Sequence, residues 1–173
     1  DGHLLDPFCG TGGLIVEGIL CGIESSGSDL AWPMVIGSRE NAAWAQELGG
    51  MGNFDIRNGS AIEIDKCWNR DFDGFVFDPP YGRNAWKSSD GFELFHGALK
   101  SCAKNASRQA NLVTLIPWPP ELISESLESG ISFGKPWHEI QAAFVESGWV
   151  IKSTHSIRVH RSLARLLIHA ERK

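Results

Sequence analysis

The sequence has no apolar run long enough to cross a membrane, and its first residues lack the basic flank and apolar stretch of a secretory signal. These absences lead us to expect a soluble, cytoplasmic protein. No C-x-x-C pair occurs. Cys9, Cys21, Cys67 and Cys102 are scattered, which argues against a zinc knuckle or a disulfide framework and fits a reducing compartment. No metal is expected, and each cysteine reads as an apolar packing residue. G-K-[ST] is missing, so there is no Walker A loop. A dinucleotide fingerprint fails as well, because the sixth position counted from Gly10 is Ile15. No Ser/His/Asp arrangement is legible. Internal repeats, low-complexity tracts and linkers are absent too, so the 173 residues read as a single domain, 1–173, long enough to bury a core.

Basic residues are scarce over most of the chain and gathered at its end. Residues 1–150 carry 10 Lys or Arg against 20 Asp or Glu, whereas residues 151–173 carry six Lys or Arg against the single acid Glu171. An acidic body with a basic C-terminal segment fits a polyanion held at one face, or equally a solvated hairpin.

Short apolar runs alternate with helical patterns. Strands are expected at His3–Asp6, Glu24–Asp29, Phe54–Asn58, Gly74–Asp78, Ala110–Ile116, Trp149–Val159 and Ala164–Ala170. Helices are expected at Gly13–Cys21, Met34–Leu48, Gly91–Lys104, Pro120–Leu127 and Pro136–Ser147. Such alternation predicts βαβ units around a parallel sheet, with ligands beyond the C-terminal strand ends. The last two strands are separated by too few residues for a crossover helix, so they should form an antiparallel hairpin.

Two corners carry chemistry. The first, D-P-F-C-G-T-G-G over residues 6–13, joins the first strand to the first helix. Its glycines allow close backbone approach, and the helix N-terminus favours a carboxylate or phosphate. Asp6 would repel a pyrophosphate but attract an ammonium group. Asp29 follows Gly10 by 19 residues at the second strand tip, the spacing at which a carboxylate grips ribose hydroxyls. Its other reading is a cap on the following helix. A nucleoside with an amino-acid tail satisfies both acids and the helix end, and S-adenosylmethionine is such a molecule.

The second corner is F-D-G-F-V-F-D-P-P-Y-G, residues 72–82. Asp78 ends a buried strand, Pro79 and Pro80 fix the backbone after it, and Tyr81 offers a flat ring. Carboxylate, backbone carbonyl and ring together form a receptor for a planar base with an exocyclic amine. Drawing the amine hydrogens toward Asp78 and the Pro79 carbonyl stabilises charge developing on the nitrogen.

The two motifs resemble those of class I S-adenosylmethionine-dependent methyltransferases. More narrowly, the chain is similar to the catalytic domain of the THUMP-containing tRNA guanine-N2 methyltransferases of archaeal type, through G-S-D-L from Gly27 at the second strand tip, G-S-R-E-N-A in the next helix and H-R-S-L-A-R-L-L-I-H-A-E-R in the final hairpin. The resemblance implies a Rossmann-like α/β fold, with helices on both faces of a seven-stranded, mostly parallel sheet of order 3-2-1-4-5-7-6 and strand 7 antiparallel. It implies methyl transfer from S-adenosylmethionine to N2 of a guanosine in tRNA. N6-adenine methylation of DNA or RNA, guanine-N2 methylation of ribosomal RNA and a non-catalytic scaffold are the alternatives. Carried over residue by residue, Asp6, Pro7, Phe8, Gly10, Thr11 and Gly12 form the cofactor loop and Asp29 and Leu30 face the ribose. Ser60 and Ala61 meet the adenine, and Asp78, Pro79, Pro80 and Tyr81 are catalytic, with Asp78 also touching the cofactor.

Two departures stand out. Many relatives have an acid where N-G-S-A offers Ser60. The chain also begins at the first strand, without the THUMP region, which points to RNA affinity supplied by a separate domain or subunit. Further substrate candidates each have a second reading. Arg83 and Trp86 form a substrate loop beside a flipped base, or Trp86 packs on the sheet. Trp118 is a rim residue or core. His160 and Arg161 reach the substrate or form a solvated turn.

Overall fold

The computed structural model describes residues 2–80, 89–122, 126–161 and 163–173. Strands β1 (His3–Asp6), β2 (Glu24–Asp29) and β3 (Phe54–Asn58) alternate with helices α1 (Gly13–Leu20) and α2 (Trp32–Glu47). A single helical turn, α3 (Ile64–Cys67), leads into β4 (Phe72–Phe77), α4 (Ser89–Lys104) and β5 (Ala106–Trp118). After a two-stranded ribbon, β6 (Ile131–Ser132) and β7 (Lys135–Pro136), come α5 (Trp137–Glu146) and the long hairpin β8 (Trp149–His160) and β9 (Leu163–Arg172).

The main sheet has seven strands in the order β3-β2-β1-β4-β5-β9-β8. With the ribbon set aside, this is the expected order. β1 to β5 pair in parallel, and β9 inserts antiparallel between β5 and β8.

Successive strand residues face opposite sides, so the sheet carries two cores. Leu4 lies under Gly18 of α1, and α1 and α2 enclose a small cluster around Ile15, Ile19, Val35 and Ile56. Leu5, Phe75, Phe77, Leu112 and Ile168 join a larger cluster with Phe95 and Leu99 of α4 and Phe144 of α5. Each fully buried large side chain there contributes roughly 2 kcal/mol of transfer free energy. Trp149 adds a directional tie: its indole Nε1 donates to the Leu99 carbonyl at 3.0 Å, fastening β8 to α4.

The described residues of the expected helix Pro120–Leu127 are not α-helical. Single 3-10 turns occupy Pro120–Leu122 and Leu127–Ser129, and Ser126 between them is extended (φ −61°, ψ 139°) with its hydroxyl accepting from the Glu128 amide. Serine competes with helical bonding in this way. The ribbon β6–β7 was not expected. Its turn places Phe133 at φ 53° and Gly134 at φ 71°, and Phe133 stacks on Phe95 at 5.2 Å. Among the described residues no helix is long and apolar enough to cross a membrane.

Candidate active site

Parallel pairing brings the C-terminal ends of β1, β2, β3 and β4 to one edge. The register sets Asp6 opposite Gly27 and Leu5 opposite Phe75. Asp29 and Asp78 therefore stand two residues beyond the level of Asp6, a rise of about 7 Å. Asp29 and Asp78 become walls, while Asp6, two residues lower, is buried behind the lining. Between the walls lies a cavity of about 350 Å³.

Asp29 serves the start of the following helix, the second of its expected readings, and also lines the cavity. Its Oδ2 accepts from the Gly10 amide at 3.1 Å and its Oδ1 from the Ala31 amide at 2.9 Å. Ala31 is the N-cap position of α2 and has no cap of its own, so Asp29 serves the helix start while it lines the cavity. Each carboxylate oxygen keeps a lone pair for a ligand hydroxyl. Asn58 holds this tip in place, donating to the carbonyls of Asp29 and Leu30, both at 2.9 Å.

Asp6 is 2% exposed, and its Oδ1 accepts from the Phe8 amide at 2.9 Å. Burial pushes its carboxyl up from 3.8 to about 7. The Phe8 amide opposes the shift, and the charges of Asp29 and Asp78 add to it. A cationic group entering above Asp6 would meet a carboxylate that no cation yet satisfies. Burial likewise pushes the Cys9 thiol up to about 12, which makes it a packing residue and no nucleophile.

The two glycines of the loop differ in purpose. Gly10 (φ 51°) lines the cavity, and a Cβ there would project into open space, so its bareness leaves room for a ligand. Gly12 (φ 86°) is pressed against Ser38, so its bareness lets α1 start beside α2. Thr11 is exposed and binds α2 through its carbonyl, which accepts from Asn41 Nδ2 at 2.8 Å. Asp6, Thr11 and Gly12 do not line the cavity; of the expected loop residues only Pro7, Phe8 and Gly10 do.

Of the other expected residues, Pro7, Phe8, Leu30, Ser60, Ala61, Asp78 and Pro80 do line it. Pro79 is buried between Asp78 and Pro80. Tyr81, Arg83 and Trp86 lie outside the described residues. Trp118 is fully buried, edge-on to Trp137 at 5.9 Å, so it is core and not rim. His160 and Arg161 are exposed at the hairpin turn, which stands at the same sheet edge because Ala164 pairs with Trp118.

Met34, Gly59 and Leu94 also line the cavity and were not expected. Met34 and Leu94 come from helices, and no local motif marks them. Arg165 was missed too: its Nε stands 3.8 Å from Asp78 Oδ1. A larger cleft of about 450 Å³ opens at the opposite sheet edge around His3, Glu24, Arg70 and Asp73. Its charged groups engage one another, with Arg70 3.4 Å from Glu24 and the His3 amide donating to Asp73 at 3.0 Å.

The sheet order, the antiparallel insertion of β9 and the cavity at the β1–β2–β4 edge define a Rossmann-like methyltransferase fold. TrmN from Thermus thermophilus superposes with a TM-score of 0.68 at 14% identity, over 99% of this chain and 44% of that one. Magnesium protoporphyrin IX methyltransferase from Synechocystis, solved with bound SAM, superposes with a TM-score of 0.67 at 16% identity, over 98% of this chain and 69% of that one. The chain belongs to the RMKL-like methyltransferase domain family (UPF0020), whose model matches residues 1–151. It is similar to the tRNA (guanine(10)-N2)-dimethyltransferase of Methanothermobacter thermautotrophicus, 29% identical over 170 residues. It is also similar to the enzyme of that name from Pyrococcus abyssi, 34% identical over 100 residues. The alignments cover 98% and 57% of this chain but only 44% and 29% of those relatives.

Proposed function

We propose that this domain transfers a methyl group from S-adenosylmethionine to the exocyclic N2 amine of a guanosine in tRNA. The observation that carries the reading is that Asp29 and Asp78 wall the same cavity, with buried Asp6 beneath. The donor set suits the cofactor: Asp6, Pro7, Phe8 and Gly10 toward the amino-acid end, Asp29 and Leu30 toward the ribose, and Met34, Gly59, Ser60, Ala61 and Leu94 toward the base. Ser60 is a neutral partner for the adenine amine. The similarity to enzymes named as tRNA guanine-N2 dimethyltransferases supports guanosine in tRNA as the target.

S-adenosylmethionine, when bound, supplies an activated methyl with a neutral thioether as leaving group. The protein's part is to present the amine. A guanine amine is a weak nucleophile because its lone pair is shared with the ring. Asp78 accepts one of its hydrogens and the carbonyl of Pro79 the other, Pro79 being clamped by burial, while Tyr81 stacks on the base. The nitrogen is thereby held toward the methyl and its developing charge is stabilised. Asp78 then takes the proton or passes it to water.

His160 and Arg161 face the RNA from the hairpin turn, and Arg83 and Trp86 follow the catalytic corner. The acidic body points to tRNA affinity supplied largely by a separate RNA-binding unit. Four free cysteines, two of them buried, agree with work in the cytoplasm. The test is calorimetry with S-adenosylmethionine, followed by nucleoside mass spectrometry of tRNA treated with labelled cofactor. Methylated N2-guanosine is expected, and Asp78→Ala should abolish it while cofactor still binds. Methyladenosine alone, or no cofactor binding, would overturn the proposal.

A further inference from the structure

Asp78 is a difficult residue to hold still. It follows a strand end, its side chain is 43% exposed, and its two oxygens exchange by a flip of the carboxylate. Only one of them can face the target amine. The guanidinium of Arg165 approaches Oδ1 at 3.8 Å, from a side chain that is only 16% exposed. Among the described residues this is the one ion pair made by Asp6, Asp29 or Asp78.

The register explains how Arg165 arrives there. On β9, Ala164, Leu166 and Ile168 are buried in the larger core, so Arg165 must face the opposite side of the sheet. Arg165 pairs with Pro117 of β5, and β5 in turn pairs with β4 through Thr114 and Phe77. The long side chain leans across one intervening strand to the carboxylate. A slip of one residue would send it into the core, so its place is as firmly set as the hydrophobic packing of β9.

We propose that Arg165 is the positioning residue of the site, fixing one oxygen of Asp78 so that the other is presented to the exocyclic amine. This rests on the amine-methylation reading given above. A planar guanidinium can hold a carboxylate in one orientation, which an ammonium does less well. It acts through Asp78 and touches neither cofactor nor base. The same hairpin is anchored through its other strand, where Arg158 Nη2 of β8 donates to the Pro120 carbonyl, in the turn after β5, at 3.0 Å.

The test compares wild type with Arg165→Gln and Arg165→Lys. Arg165→Gln should bind S-adenosylmethionine within about twofold of wild type and keep KM for tRNA, while kcat falls by about 10- to 100-fold, the scale of a misplaced reacting group. Arg165→Lys should recover part of that loss. An unchanged kcat, or a loss carried wholly by KM for tRNA, would overturn the proposal; the latter would make Arg165 a phosphate contact. A second readout needs no activity. Urea midpoints of Arg165→Gln, Asp78→Ala and the double variant should be non-additive, and strict additivity would refute the pairing. If wild type binds cofactor but methylates no amine while the midpoints remain non-additive, the amine-methylation reading fails and the pairing of Arg165 with Asp78 survives.

Discussion

Replacing Asp6 with Asn tests the electrostatics of the site directly. Its carboxyl is pushed from 3.8 to about 7, chiefly by burial. An acid with a raised folded pKa keeps in the folded state a proton that the unfolded chain has released. Stability from this residue is therefore greatest in acid and declines as pH rises through 7, the reverse of an ion-paired carboxylate. Between pH 5.5 and pH 8.0 those two values imply a loss of about 2 kcal/mol. Asp6→Asn keeps an oxygen for the Phe8 amide but cannot titrate. Measured by urea unfolding, the gap in midpoint between the two proteins should move by about 1 M from pH 5.5 to pH 8.0, in favour of the variant at the higher pH, for a slope of roughly 2 kcal/mol per molar. Taking the gap cancels every other titrating group. An identical gap at both pH values would refute the reasoning, because Asp6 would then titrate alike in both states.

The same residue predicts that binding of a cationic cofactor at pH 6 releases nearly a full proton, read by calorimetry in buffers of different ionisation enthalpy, and that Asp6→Asn abolishes the release. Gly12→Ala should destabilise by about 2–3 kcal/mol, from left-handed strain and collision with Ser38. Gly10→Ala should cost only about 1 kcal/mol in thermal or urea unfolding, yet weaken cofactor binding by filling the cavity mouth. Trp118→Phe should lower stability by about 1–3 kcal/mol and leave KM for tRNA unchanged, since the ring packs inside and meets no substrate.

Legibility followed sequence distance. β1, β2 and β3 match their expected limits, β1 and β3 because each is a short run closed by a polar tip and a turn, with signals adjacent in the chain. β5 begins at Ala106 and not at Ala110, because the pairing with β4 shifts between Phe72 and Gly74 and absorbs the extra residues in a bulge. The ribbon β6–β7 has strands of two residues each, too short for any alternation to be seen. Trp118 could not be assigned from its place at a strand end, since which way it faces is decided by Trp137 and by Gly130, which packs against its ring.

The least strand-like segment by composition is β2, Glu-Ser-Ser-Gly-Ser-Asp, yet four of its six residues are buried. Ser25 is pressed against Gly18 of α1, Gly27 lies under Cys9 of the loop, and Ser26 meets the His3 ring at 2.7 Å. Larger side chains at Ser25 and Gly27 would lift α1 and the glycine loop off the sheet, and with them the Gly10 amide that Asp29 binds. Small polar residues on the neighbouring strand thus bring the loop low enough for Asp6 to be covered while Asp29 stays at the cavity wall. The unsatisfied charge of Asp6 and the loop that buries it are consequences of one close packing, so the cofactor preference we propose is already present in a strand that carries almost no apolar signal of its own.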